Sequence, residues 1–477
     1  MSKSTVNGIF WSGIERFSVQ GIQFILTIII ARLVSPADYG LVALLTVFLV
    51  MAQVFVDSGF STALIQKQTP SDTDYSTAFL FSSLVGGLIY IILFFLARPI
   101  ALFFDTPQLE LIAKIVFLNI FINSFSIVHR AILTINLDFK SQSKASLVAV
   151  TLSGFCGVYL AYRGYNVWAL VFQTLLNNIL NVVMLWYIVK WKPKLCFSID
   201  SFKYLFSFGS KLLLAGIISS LYNQIYTVVI GKTFSTVSLG YYNRSSTFAS
   251  WFSVNISYVF NRAFFPILCS LKSDNAELER KFLVYLRFSC FVIFPLMLGI
   301  FVLADPLIIT LFTEKWLPLK PLLRILCIAY MWDPVMLLNS SYLAAKGRSD
   351  LQLKAEIIKK TVAILILCVT FPFGLEYVCV GLVLYSIADI FIITRFLVQE
   401  SSITLYKEIK TIMPIALLSL SMALLLYLFL EVYEGSSLIR LITGFILGVV
   451  IYVVSAALFS FKECDVLFSY IRKIRSR

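Results

Sequence analysis

The sequence predicts an all-α, polytopic membrane protein with fourteen transmembrane helices. Of its 477 residues, 59% are hydrophobic and only 13% are charged, and the mean hydropathy is +0.90. Soluble domains carry about 25% charged residues, so this chain has too little charge to cover a water-exposed surface. Long apolar runs recur along the chain, and they lack the alternating pattern of outer-membrane barrel strands. Helices that cross a bilayer are therefore the predicted architecture.

Each apolar run is long enough to cross a hydrocarbon core of about 30 Å, which takes about 20 residues in an α-helix. The first run is too long for a signal peptide and has no small-residue cleavage site, so we interpret it as a retained helix. The fourteen runs lie near residues 9–31, 41–64, 77–97, 113–136, 145–162, 165–189, 208–231, 241–268, 283–304, 320–343, 357–375, 377–398, 411–430 and 438–461.

The distribution of lysine and arginine predicts the orientation. With residues near the ends of the runs counted on the side they adjoin, the N-terminal side of the membrane holds 25 of the 39, the opposite side holds 9, and the remaining five are assigned to the runs. Basic residues concentrate in cytoplasmic loops, so both termini are predicted to be cytoplasmic. The tail at 462–477 mixes basic and apolar residues and is expected to lie on anionic lipids. The charge is spread over many short loops, which argues against nucleic-acid binding.

The chain also repeats itself, with an offset that drifts only from 200 to 210 residues. Six runs separate equivalent points, so the two halves have the same orientation in the membrane. Parallel repeats predict two lobes related by an axis along the membrane normal, with the substrate path between them. We therefore predict six-helix lobes at 1–200 and 201–400, and two additional helices with a basic tail at 401–477. The matching positions are Ile30, Ala31, Arg32, Ser35 and Gly40 with Ile230, Gly231, Lys232, Ser235 and Gly240; Leu96, Ala97, Arg98 and Pro99 with Leu303, Ala304, Asp305 and Pro306; Lys144 and Ala145 with Lys354 and Ala355; and Gly164 with Gly374.

Four local strings resemble a known family. They are LVSPADYGL at 33–41, VFVDSGFSTALIQ at 54–66, a segment at 231–244 that ends in LGYYNR, and AKGRSD at 345–350. From about residue 5 to 400 the chain resembles the Wzx-type polysaccharide transporters of the multidrug/oligosaccharidyl-lipid/polysaccharide exporter superfamily. Within that family it is most similar to lipopolysaccharide, colanic-acid and capsule flippases.

The resemblance implies a function as well as a fold. It implies a two-lobed flippase of the bacterial inner membrane that works by alternating access. The implied cargo is an undecaprenyl-pyrophosphate-linked oligosaccharide for O-antigen, capsule or exopolysaccharide, and other polysaccharide-assembly proteins are implied partners.

Two other functional classes remain alternatives. A cation-coupled multidrug exporter of the same superfamily would share the lobes but usually has twelve spans. A polysaccharide polymerase or ligase would need a sizeable outward loop with catalytic residues, and the outward segments here are short. We therefore expect no enzyme activity and no catalytic residues. No P-loop string is present, and the single histidine and the absence of CxxC pairs predict no metal site and no cofactor.

Ionisable residues inside a membrane are costly and therefore mark candidate sites. Arg16 and Glu15 lie in the first run and Asp57 in the second, at similar depths from the cytoplasmic side. Arg16 could bind pyrophosphate with Asp57 or Glu15 as its partner or as a cation site, or Arg16 and Asp57 could form a structural ion pair. A guanidinium matches phosphate oxygens. Together with the cationic cavity that the resemblance implies, this makes Arg16, Arg244 and Arg262 the candidate pyrophosphate ligands.

Other polar residues within the runs could line a cavity for sugars and a coupling cation. Asp389 is a further candidate for charge pairing or cation coupling. The amide candidates are Asn177, Asn178, Asn181, Asn223 and Asn255. Hydrogen bonding between helices is the alternative role for these amides. For Arg130, Lys211 and Arg262, a side chain that extends to the membrane interface is the alternative.

Overall fold

The computed structural model describes residues 3–67, 69–461 and 463, with side chains from residue 18 onwards. The described residues are nearly all helical and contain no strand. The chain folds into two compact units, Met1–Gly240 and Tyr241–Arg477. The predicted all-α class is therefore observed, whereas the predicted lobes at 1–200 and 201–400 remain a prediction.

Unit 1 is built from long helices interrupted by short ones. Its most extensive packing joins α1 to α8, α8 to α9, and α10 to α2. Its helices are α1 (Lys3–Leu33), α2 (Pro36–Asp57), α3 (Phe60–Gln66), α4 (Asp72–Phe103), α5 (Leu109–Val116), α6 (Leu118–Ser124), α7 (Ile127–Ile135), α8 (Phe139–Tyr162), α9 (Val167–Val189), α10 (Ile199–Thr233) and the first turn of α11 (Thr236–Ser270).

Unit 2 contains the rest of α11 and eight further helices. In it α12 packs on α18, and α17 packs on α14 and α16. The helices are α12 (Asn275–Val302), α13 (Ala304–Leu311), α14 (Lys320–Tyr330), α15 (Asp333–Ala345), α16 (Ser349–Thr370), α17 (Leu375–Leu397), α18 (Leu405–Val432) and α19 (Ser437–Leu458). A short 3-10 helix, Glu314–Leu319, precedes α14.

Eleven segments of the described chain are long and apolar enough to cross a membrane. The other three predicted spans fall on α1, α11 and α16. The part of α1 with described side chains, Ser18–Leu33, is apolar but shorter than a full span. Many polar side chains lie on α11, and α16 carries Lys354, Glu356, Lys359 and Lys360. The protein is therefore a multi-pass membrane protein, and the count of fourteen spans remains a prediction.

Two local backbone features recur at positions that the sequence repeat matches. Ser35 caps α2 by accepting a hydrogen bond from the backbone N–H of Asp38. Its counterpart Ser235 accepts one from the backbone N–H of Ser238, 3.0 Å away, at the start of α11. The matched Gly164 and Gly374 both have positive φ, 81° and 117°. The same caps and turns thus recur at the offset seen in the sequence.

Two matched glycines make a reciprocal close approach within unit 1. A Cβ added to Gly40 would lie 1.8 Å from the carbonyl oxygen of Thr236, and one added to Gly240 would lie 1.9 Å from that of Pro36. A residue with any side chain would collide with backbone at either position. The glycines therefore allow the first turns of α2 and α11 to touch through their main chains.

The candidate functional site

The first candidate site lies at a break between α2 and α3 in unit 1. Ser58 and Gly59 have φ of 46° and 70°, a left-handed conformation that ends α2 after Asp57. The Asp57 carboxylate accepts a hydrogen bond from the backbone N–H of Ser61 at 3.2 Å. A break at membrane depth frees backbone groups that need partners, and discontinuous helices commonly form the binding sites of transporters.

A cleft of about 460 Å³ opens beside this break, between α2, α3 and α10. Gln53, Asp57 and Thr62 provide its polar lining, and Leu212 and Leu213 of α10 provide apolar wall. The carboxylate of Asp57 therefore lines a space that can admit a polar group or a cation.

Arg130 belongs to the same region, although it was not among the candidate ligands. It is half-buried on α7. Its guanidinium donates to Oδ1 of Asn181 on α9 at 3.0 Å, and it interacts electrostatically with Asp57. Its position near one end of a predicted span favoured an interfacial side chain. Depth along one helix does not reveal which partners a neighbouring helix supplies.

The amides of unit 1 connect helices to one another. Asn178 donates to Oδ1 of Asn119 at 2.6 Å, and Asn177 donates to Oγ of Ser153 at 3.2 Å. Such bonds contribute about 0.6 kcal/mol each on average. Asn177 and Asn178 therefore make hydrogen bonds between helices, which is the alternative to lining a cavity for sugars.

A second amide pair reaches the cleft itself. Asn123 donates to Oε1 of Gln53 at 2.7 Å, and Ser126, at the break between α6 and α7, donates to Oδ1 of Asn123 at 2.9 Å. The polar chain from Ser126 through Asn123 thus ends on a residue of the cleft wall. Gln53 was not among the sequence candidates, although it lies one helical turn before Asp57 in α2.

The remaining candidates of the first run and of α10 and α11 are scattered. The side chains of Glu15 and Arg16 lie outside the described residues, so their pairing with Asp57 remains a prediction. Asn223 is exposed on α10. The amide of Asn255 donates to the backbone carbonyl of Trp251 within its own helix, at 2.7 Å.

The two arginine candidates of α11 differ in environment. Arg244 is only 6% exposed, whereas Arg262 is exposed. A buried guanidinium is compensated by polar or anionic partners, so Arg244 keeps its place as a candidate anion ligand. Arg262 fits the interfacial alternative equally well.

Asp389 and Glu408 are two of the buried acidic residues of unit 2. Asp389 on α17 is 3% exposed, and its Oδ2 lies 3.2 Å from Nζ of Lys359 on α16. Glu408 on α18 is 1% exposed and accepts hydrogen bonds from Thr394 at 3.1 Å and Asn339 at 3.4 Å. Lys359 and Glu408 were not among the sequence candidates, because each lies within three residues of the end of a predicted run.

Comparison of the structure with known structures identifies the fold. It is similar to the lipid II flippase MurJ in an inward closed conformation, with a TM-score of 0.74 and 17% identity over 94% of this chain and 98% of that chain. It is also similar to an inward-facing multidrug resistance MATE transporter of the MOP superfamily, with a TM-score of 0.60 and 15% identity over 86% of this chain and 98% of that chain. The chain therefore has the same fold as these two membrane proteins.

Sequence comparison then gives the family. The family described as "Polysaccharide biosynthesis protein" matches residues 29–321, more than half of the chain, and the chain belongs to it. The teichuronic acid biosynthesis protein TuaB of Bacillus subtilis is 26% identical over 74% of this chain and 73% of that protein. The lipopolysaccharide biosynthesis protein WzxC of Escherichia coli is 24% identical over 75% of this chain and 73% of that protein. The predicted Wzx-type family is confirmed.

Proposed function

We propose that this protein moves an undecaprenyl-pyrophosphate-linked oligosaccharide from the cytoplasmic to the outer leaflet of a bacterial inner membrane. Membership of the polysaccharide biosynthesis family is the observation that carries the proposal. TuaB and WzxC are named for the biosynthesis of teichuronic acid and lipopolysaccharide. The glycan would serve O-antigen, capsule or exopolysaccharide synthesis, with other assembly proteins as partners.

The polar cleft in unit 1 supports a cargo with a polar head. Asp57, Gln53 and Thr62 line it, and hydroxyl-rich sugars bind amide and carboxylate groups of this kind. Arg16, Arg244 and Arg262 remain the proposed ligands of the pyrophosphate, and Glu15, Asp57 and Asp389 the proposed charge partners. To these we add Arg130 and Gln53, because they lie with Asp57 in unit 1.

The mechanism we propose is alternating access between two parallel lobes, with both termini in the cytoplasm. Discontinuous helices such as α2 and α3 suit it, because the break presents a carboxylate and free backbone groups to a cavity. Transport needs no reacting residue, so the protein is proposed not to be an enzyme and to need no cofactor.

Export of small molecules coupled to a cation is the second candidate function. The likeness to the multidrug transporter favours it, since the same fold serves both kinds of cargo.

Deletion of the gene in its native host separates the two candidates. A flippase deletion should abolish one surface polysaccharide and cause its lipid-linked precursor to accumulate facing the cytoplasm. Expression of the wild-type chain should reverse both effects. Normal surface polysaccharide together with increased sensitivity to drugs or dyes would contradict the flippase proposal and favour the exporter.

A further inference from the structure

A buried lysine in unit 2 lies beside Asp389, the carboxylate at which a coupling cation was expected. Asp389 is a candidate for cation coupling, and a buried carboxylate needs a positive or hydrogen-bonding partner. That partner is Lys359, itself only 4% exposed. Its Nζ lies 3.2 Å from Oδ2 of Asp389 and 2.5 Å from Oε1 of Glu356. The ammonium therefore bridges a carboxylate of α17 and one of its own helix.

Asp389 has further polar and charged neighbours. The hydroxyl of Tyr385 donates to Oδ2 of Asp389 at 3.0 Å. Oδ1 of Asp389 is buried and has no hydrogen-bond partner among the described residues. Asp333 on α15 interacts electrostatically with Asp389. The ammonium of Lys359 therefore offsets the negative charge of Asp389 and Glu356.

The remaining charged neighbour is Lys360, which lies 3.9 Å from Oε2 of Glu356. It is half-buried and also interacts electrostatically with Asp389. Lys359 is the lysine that lies within ion-pair distance of Asp389. The described residues include no group of three or more His, Cys, Asp or Glu side chains that could hold a metal ion.

We propose that Lys359 is a resident cation, built into the chain, at the site that Asp389 would otherwise offer to a metal ion. The native protein then binds no sodium at this position. Removal of the ammonium leaves two carboxylates and a phenol oxygen, which are hard oxygen ligands suited to such a cation. The inference goes beyond the proposed function, because it concerns the coupling ion and not the cargo.

The test measures the thermal stability of the purified full chain in detergent, in sodium chloride and in choline chloride of equal ionic strength. The wild-type Tm should be the same in both salts. Lys359→Met should have a lower Tm than wild type in choline, because one partner of a buried pair is lost. Its Tm should rise with the logarithm of the sodium concentration, as expected for a ligand that binds the folded state.

Two controls isolate the site. Lys354→Met changes an exposed lysine of the same helix and should not respond to sodium. Lys359→Met combined with Asp389→Asn should also be insensitive to sodium, and it should be more stable in choline than the single variant, since both charges are removed together.

Three results would overturn the proposal. One is a wild-type protein whose Tm rises specifically in sodium and loses that response in Asp389→Asn. Another is a folded Lys359→Met variant with the same Tm in both salts. The third is a Lys359→Met variant that neither salt keeps folded while the double variant folds. None of these measurements depends on the glycan, so they leave the flippase proposal untouched.

Discussion

The carboxylate of Asp57 is half-buried and that of Asp389 is buried, and the two have different kinds of partner. Asp57 accepts a backbone N–H at a helix break and lines a cleft. Asp389 contacts an ammonium from the preceding helix. A carboxylate that lines a cleft can exchange its partner for a ligand, whereas one enclosed with a lysine is already compensated. We therefore place the substrate-facing role on Asp57.

Arg16 provides the sharpest prediction at the scale of single residues. If it binds the pyrophosphate, Arg16→Ala should abolish surface polysaccharide at normal protein levels in the membrane. Arg16→Lys should restore export only in part, because a point charge lacks the bidentate fork of a guanidinium. The measurement is surface glycan in a deletion strain that carries each variant, with the amount of protein matched.

The double variant Arg16→Ala with Asp57→Asn separates binding from structure. If the two residues only form an ion pair, the double variant should export normally, since a buried pair can often be replaced together. Normal export by Arg16→Ala alone would show that this arginine is not a required ligand.

At the scale of helices, polar side chains donate hydrogen bonds to backbone carbonyls at the breaks in unit 1. Asn119 donates to the carbonyl of Val116 near the junction of α5 and α6, at 2.8 Å, and Ser126 donates to the carbonyl of Asn123 before α7, at 2.7 Å. Lipid offers no hydrogen bonds, so each freed carbonyl needs a protein donor. Of these two side chains, Ser126 is also linked through Asn123 to Gln53 of the cleft wall.

The crossing of α2 and α11 gives a prediction about stability. Gly40→Ala would place a Cβ 1.8 Å from the carbonyl oxygen of Thr236, so backbone must move. We expect the free energy of unfolding to fall by about 1–3 kcal/mol, the usual cost of overpacking. Gly240→Ala should behave alike, and Tm in detergent measures both.

Gly21→Ala is the matched control, because a Cβ there meets nothing within 4 Å. In a helix, alanine is favoured over glycine by up to about 1 kcal/mol, so this variant should be as stable as wild type or more so. A Gly40→Ala protein as stable as Gly21→Ala would contradict the close crossing.

At the scale of the whole molecule, the distribution of basic residues and the repeat make one joint prediction. An even number of spans places both termini in the cytoplasm, and six spans between equivalent points give the lobes the same orientation. Reporter fusions after Lys203 and at Arg477 should both give cytoplasmic signals. A periplasmic signal at Arg477 would exclude an even number of spans.

By itself the sequence determined the membrane class, most of the helices, the repeat and the family. Hydropathy and the bias of basic residues are properties of consecutive residues, so a single chain displays them directly. The cap at Ser35 is equally local, since its partner Asp38 lies three residues away. The candidate Asp57 also came from a local property, a charge inside an apolar run.

Only the tertiary structure decided which polar groups meet. Arg130 contacts Asn181, and Lys359 contacts Asp389, and each pair is far apart in the chain. A charged residue within an apolar run of the sequence is expected to need a partner. The packing of the helices decides which residue that partner is. The break after Asp57 likewise depends on a left-handed turn at Ser58 and Gly59, within a run whose apolar pattern predicts an uninterrupted helix.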